Sequence, residues 1–345
     1  MNAAPQYIFD GTKWQSEVAT RRRNAGTSTA QGRSSLVAGT YLPDAISTGI
    51  PAGVTLQVRR GNISVTTPGT VLQDLDIYGK VSVSTTDVVI RNCRVRGPSS
   101  YSPAGDSSTA LIGCTSASIR RLVVEDCHLQ PDLPHNSMNG MLGHDFTVRR
   151  TRFVNCSDGI GTFNTADRAG PVNVVAEANW LYSLYFVRPS DTGTRAEGTH
   201  NDCMQISGGS HYRLVGNRMD AYLNSSIGSA PLDGSAHGSY PTTGNQYFPA
   251  MTATSALMVT PNVGPVATLL VDRNWFNGGG TSINFSEKGR GAMQGVVITN
   301  NRFGKDQRNP AVQGYIDAAT FDAMVCSGNV FDGVSGTPVL KRVRT

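Results

Sequence analysis

The sequence predicts an all-β solenoid, a right-handed parallel β-helix. Three observations carry that expectation: a short motif that recurs along most of the chain, a composition poor in helix-building patterns, and a shortage of hairpin signals. The motif is an apolar residue, two residues, a turn residue, one residue and a second apolar residue. It reads "IRNCRV" at 90–95, "VEDCHL" at 124–129, "VRRTRF" at 148–153 and "AEANWL" at 176–181. It returns as "LVGNRM" at 214–219, "VDRNWF" at 271–276, "ITNNRF" at 298–303 and "CSGNVF" at 326–331. "LQDLDI" at 72–77 is a weaker early copy.

The turn position holds Cys93, Cys127, Thr151, Asn179, Asn217, Asn274, Asn301 and Asn329. Asparagine tolerates left-handed backbone better than other side chains, so the motif is expected to turn there. The intervals between successive turn positions are 34, 24, 28, 38, 57, 27 and 28 residues. A base period in the twenties with insertions identifies a repeat architecture. No unit holds a helical run long enough for a crossover. The leucine pattern of leucine-rich repeats is missing. Short parallel strands stacked in coils about 4.8 Å apart fit best, and chain chirality selects the right-handed form. The alternative is an antiparallel β-sandwich, which would need hairpin turns. Of the Asn-Gly type the sequence has only Asn139-Gly140 and Asn277-Gly278.

Composition agrees. Among 345 residues 38 are Gly and only 16% are charged, with few aromatics, which suits turns more than helices. The net charge of +5 is too mild to imply nucleic acid as a partner. The N-terminus shows no signal-peptide pattern and no run is long enough to span a membrane, so the chain is expected to be made in the cytoplasm without membrane insertion. The six cysteines have no metal-type spacing and are expected to be buried free thiols.

Three regions follow. Residues 1–45 do not match the repeat and read as an N-terminal attachment segment. Residues 46–335 form the β-helix, with a Gly/Ser/Pro-rich insertion at about 220–262 of the kind that binds something on one face of a solenoid. Residues 336–345 are a C-terminal tail, and 333–345 would close one end or meet a partner.

Aligning the units places "NGMLG" (139–143), "DGIGT" (158–162) and "DCMQI" (202–206) at corresponding positions. Asn139, Asp158 and Asp202 would then form a column on three successive coils. Two aspartates one strand spacing apart repel each other, so one holds a proton or the two share a cation. Such carboxyls suit acid/base chemistry on a sugar. Asp158 and Asp202 are therefore the candidate catalytic pair, assisted by His200 on the same face. Asn139, Gln205, Arg195 and Glu197 are candidate substrate-binding residues, with Asp191 on the same loop. The competing reading is a polar ladder that only stabilises the stack. No cofactor or metal is expected, although a calcium ion would also suit Asp158 and Asp202. His128, His135 and His144-Asp145 read as turn residues, and Glu287, Lys288 and Arg290 as a solvated loop. Trp180, Trp275 and Phe276 are expected in the interior or on the rim.

The coil "HNDCMQISGGSHYRLVGN" (200–217) resembles the H-x-D-x-x-Q-x-x-G-G coil of right-handed β-helix proteins of the pectate-lyase-like superfamily. "STGIPAGVTLQV" and the following coils to "IRNCRVRG" are similar to β-helix proteins of actinobacteria and their phages, where they serve as minor tail proteins. The resemblance covers about 45–335 and highlights His200, Asp202, Gln205, Gly208 and Gly209. The clustered aspartates and catalytic arginine of calcium-dependent pectate lyases are missing, as are the paired aspartates of polygalacturonases. The resemblance implies a tail-associated virion protein that contacts host-surface polysaccharide, meets other tail proteins and assembles as a homotrimer. It leaves open a depolymerase, a non-catalytic tail protein and a bacterial polysaccharide hydrolase or lyase.

Overall fold

A computed structural model describes residues 6–9, 14–17, 38–100, 109–134, 137–162, 171–185, 200–221, 223–224, 255–305, 307, 311–332 and 335–343. The chain forms a right-handed parallel β-helix of three long sheets. The first sheet has ten strands, from Ile63–Val65 through Met138–Gly143, Ile160–Thr162 and Asp202–Ile206 to Leu340–Val343. The second has nine, from Val71–Gln73 to Val325–Ser327. The third has ten, from Gln57–Arg60 to Val330–Phe331. Every strand pair in these sheets is parallel, so each coil stacks in register on the one before, and the sandwich alternative is excluded.

The inward side chains of all coils form one continuous apolar core, with Ile77, Ile90, Leu111, Phe146, Phe153 and Phe285 among the fully buried members. Arginine takes the core column at both extremes. Arg59 lies in register with core residue Ile77, and Arg342 with core residue Ile316. A charged residue at the last core position ends the apolar stack, as a solenoid cap must. Arg342 also pairs with Asp322 of the short helix Ala318–Ala323 at 2.7 Å. Phe321 of that helix and Met324 just after it cover the top of the core.

Each coil uses left-handed backbone at two corners, one at either end of the second sheet. The corner between the second and third sheets has positive φ at Asp74, Asn92, Asp126, Arg150, Ala178, Gly216, Arg273, Asn300 and Gly328. These residues sit one position before the expected turn asparagines, which corrects the turn assignment. A non-glycine residue in this region costs about 1–2 kcal/mol. The backbone N–H of each of these residues up to Asn300 donates to the next coil, for example Ala178 to the Val215 carbonyl at 3.0 Å.

The asparagines themselves point inward and form a ladder. The Oδ1 of Asn217 accepts both the backbone N–H (3.0 Å) and the Nδ2 (2.9 Å) of Asn179. Asn274, Asn301 and Asn329 repeat that arrangement on successive coils. Each Nδ2 also donates to a strand carbonyl of the coil below, such as Asn217 to Ala176 at 2.9 Å. Cys93 and Cys127 hold the same position lower down, where their thiols donate to the Leu72 and Ile90 carbonyls. All six cysteines are free and five are buried, but Cys326 is exposed at the end of the stack.

Residues 38–56, which straddle the expected boundary at residue 45, run along the outside of the helix as a strap. They pass from the coil of Arg273 to the coil of Arg150, against the stacking direction. Gly216 takes the left-handed corner with φ 65°. A Cβ there would strike the backbone of Ala38 and Gly39, so the glycine makes room for the strap. Arg152 Nη2 donates to the Ala45 and Thr48 carbonyls at 2.7 and 3.1 Å. The strap roofs part of the third sheet, where arginine and tryptophan alternate outward in register. Arg152, Trp180, Arg218, Trp275 and Arg302 occupy five successive coils. The Arg218 guanidinium lies 4.6 Å from the Trp180 ring centre. Phe276 is in the core as expected, Trp275 is half-buried, and Trp180 is buried beneath the strap with Val154, Tyr182 and Ala45.

Candidate functional site

The column of Asn139, Asp158 and Asp202 forms at the entrance to the first sheet. The register Met141–Ile160–Met204 puts Asn139 beside Asp158 and Asp158 beside Asp202, and Ser255 follows on the next coil. The column is hydrogen-bonded from rung to rung. Asp158 Oδ1 accepts the Asp202 backbone N–H at 2.8 Å, and Asp202 Oδ1 accepts the Ser255 N–H at 2.8 Å. Ser157 Oγ donates to Asn139 Oδ1 at 3.4 Å. Each carboxylate therefore spends one oxygen on holding the next coil.

Asp202 is only 2% exposed. Burial, and then the neighbouring Asp158, pushes its carboxyl well above the usual carboxylate range, opposed by the Ser255 hydrogen bond. The tripeptide His200-Asn201-Asp202 divides its work. Asn201 is fully buried and its Nδ2 donates to the Ser157 and Tyr185 carbonyls at 2.7 and 3.0 Å. Asp202 is the ladder rung, and His200 is exposed.

His200, Asp202 and Gln205 line one groove, a cavity of about 560 Å³ that runs along the outer face of the first sheet towards the C-terminal end. Its floor is a register column. Gln205 pairs with Met258, Met258 with Asn284, Asn284 with Tyr315 and Tyr315 with Lys341. Thr260, Ser286 and Asp317 line a second row two residues further along the strands, and Asn262 and Lys288 enter from loops. The groove is rich in amides and hydroxyls on a rigid parallel sheet. Lys341 Nζ lies 5.9 Å from the Tyr315 ring centre.

The structure thus joins His200, Asp202 and Gln205 in one cavity. Asp158 and Asn139 lie one and two coils below Asp202 and do not line it. Arg195 and Glu197, like Asp191, His135 and most of the 220–262 insertion, lie outside the described residues. Sequence reasoning missed Met258, Asn284, Tyr315 and Asp317. Their only signal was alternation within "SALMV", "TSINF" and "GYID", which marks any strand.

The "SEKGRG" loop departs from the solvated reading. Glu287 is buried, its Oε1 accepts the Thr320 N–H at 2.6 Å, and its own N–H donates to Asp317 Oδ2 at 2.7 Å. Arg290 Nε donates to the Pro261 carbonyl at 2.6 Å. Lys288 is held between them, exposed at the groove. His144 and Asp145 are buried and joined Nδ1 to Oδ2 at 2.9 Å, and His128 is buried on the third sheet. These histidines therefore belong to the body and not to exposed turns. Among the described residues, no group of three or more His, Cys, Asp or Glu side chains is placed to hold a metal. Comparison with protein-family models, curated proteins and solved structures returns no match for the chain.

Proposed function

We propose that the protein is a glycan-contacting β-helix of the tail-associated kind, which receives an extended host-surface polysaccharide along the groove of its first sheet. The observation that carries this reading is the in-register floor of Gln205, Met258, Asn284 and Tyr315. It offers one side chain per coil, about every 4.8 Å. Amides and hydroxyls match sugar hydroxyls, and a tyrosine ring suits the apolar face of a sugar. The virion setting and the homotrimer come from the resemblance of the 200–217 coil and the coils before it. Binding of the full chain to surface polysaccharide from an actinobacterial host tests the reading. Tyr315→Ala is expected to weaken binding about tenfold or more, the worth of roughly 1.4 kcal/mol. Equal binding by wild type and Tyr315→Ala would remove the groove from the interaction.

A depolymerase is the second reading. It is favoured by a buried carboxyl, Asp202, that keeps its proton more readily than usual and lines the groove with His200. New reducing ends or unsaturated sugars, lost in Asp202→Asn, would establish it. Retained binding without product would leave a receptor-binding protein.

A further inference from the structure

The outer faces of the three sheets have different chemistry. The first carries the polar groove. The third carries arginines that alternate with tryptophans, partly roofed by the strap. The second carries an apolar stripe: Val71, Val89, Val123, Thr147 and Val175 point outward in register on five successive coils. Val71 is 50% exposed, and the other four are partly exposed. Five coils make a stripe about 19 Å long.

Further up, the same column continues through Arg213 to Leu270 and Val297, and there it is covered. Ala38 and Tyr41 of the strap pack on Leu270 and Val297 together with Ala178 and Val215. The chain's own strap thus shows what this face accepts, an apolar cover. Over the lower five coils the stripe residues stay partly exposed, and none of them belongs to a buried apolar cluster of the described residues.

The charges beside the stripe identify the cover. On one side Arg91, Glu125, Arg149 and Glu177 follow in register and alternate in sign. On the other side Asp87 pairs with Arg121 at 2.6 Å. Arg149 pairs with Glu125 at 2.7 Å, and Arg91 donates to Gln73. Alternating, internally paired charges leave no surplus of either sign to attract a strongly acidic or basic partner. They suit the same pattern met face to face, with an apolar centre and a polar rim.

We propose that a second copy of this chain packs on the second sheet, stripe to stripe over Val71, Val89, Val123 and Val175. This inference is independent of the groove, which lies on another face.

Light scattering after size exclusion of the full chain tests it. Wild type is expected at twice 36.7 kDa, because a face that meets itself closes as a pair, and a threefold mass would overturn the stripe-to-stripe contact in favour of the assembly that the resemblance implies. Val123→Lys is expected to weaken association at least tenfold while the thermal transition is retained. Val123→Thr keeps the shape of the side chain and weakens association severalfold, so the test survives a folding defect in the lysine variant. Asn284→Lys, in the groove, leaves the mass unchanged and alters only glycan binding. A wild type that is monomeric at tens of micromolar overturns the proposal, and so does an unchanged assembly in both Val123 variants.

Discussion

The helix has two polar ladders, and they solve one problem with different chemistry. Both place a side-chain oxygen on the backbone N–H of the neighbouring coil. In the asparagine ladder each oxygen reaches down to the coil below, and the amide nitrogen supplies a second bond and a third to a strand carbonyl. Donors and acceptors balance, and the column carries no charge. In the aspartate column the oxygen reaches up, from Asp158 to Asp202 and from Asp202 to Ser255. It supplies no donor and sets two carboxyls side by side in a partly buried site. As scaffolding alone the second arrangement is the poorer one, because a buried charge costs free energy that an amide would not. The difference separates a column that only holds coils together from one that also brings an acidic group to a groove.

The comparison breaks most visibly at the asparagine ladder. Asn217→Ala removes four buried hydrogen bonds and leaves their partners unsatisfied. A loss of about 3 kcal/mol or more is expected, read as a large fall in the thermal or denaturant midpoint. A fall no larger than that of a surface substitution would show that the ladder is incidental.

The aspartate column should respond in the opposite direction. The folded state raises the Asp202 carboxyl above its unfolded value, so the folded state binds more protons between the two values. Stability contributed by that proton is complete below about pH 4, the unfolded value. It is lost as pH rises through the folded value. Asp202→Asn is therefore expected to be more stable than wild type near pH 7, read as a higher denaturant midpoint. The advantage should vanish below pH 4. Paired denaturation curves at pH 3.5 and 7 check this, and an equal gap at both pH values would refute it.

The smallest effect is expected where the asparagine ladder stops. Thr151 donates its backbone N–H to Asn179 Oδ1 and its Oγ1 accepts the Cys127 N–H at 3.4 Å, but it has no amide to reach a strand carbonyl of the coil below. Thr151→Asn should complete that rung and add about 0.5–1 kcal/mol. A destabilised variant would mean that the corner at Cys127 is too tight for the amide.

The coil repeat was legible because the inward apolar residues and the asparagines recur at fixed offsets. The stacking of Asp158 on Asp202 was legible for the same reason. The left-handed corners were not. Their occupants include Asp74, Arg150, Ala178, Thr268 and His211, and nothing local in those side chains demands positive φ. The inter-coil hydrogen bonds impose it. The strap was hidden because its contacts are more than a hundred residues away in sequence, as with Arg152 and Ala45. The groove floor was missed because Met258, Asn284 and Tyr315 become a group only when strands far apart in the chain come into register. The direction of His200 was legible only through the fate of its neighbour Asn201, which the motif does not reveal.

The strap also decides how the molecule bears a load. A pull on the chain ahead of Ala38 does not act on the first coil as a peeling force. It enters at the flank, at the coil of Arg273, and is shared along the strap by Arg218, Arg152 and Arg150 before it reaches Gln57. Those contacts lie along the line of tension and are stressed together in shear. The coils that they cross are gripped from outside while the first coil stays unloaded. A body tethered in this way resists being unwound from its N-terminal end.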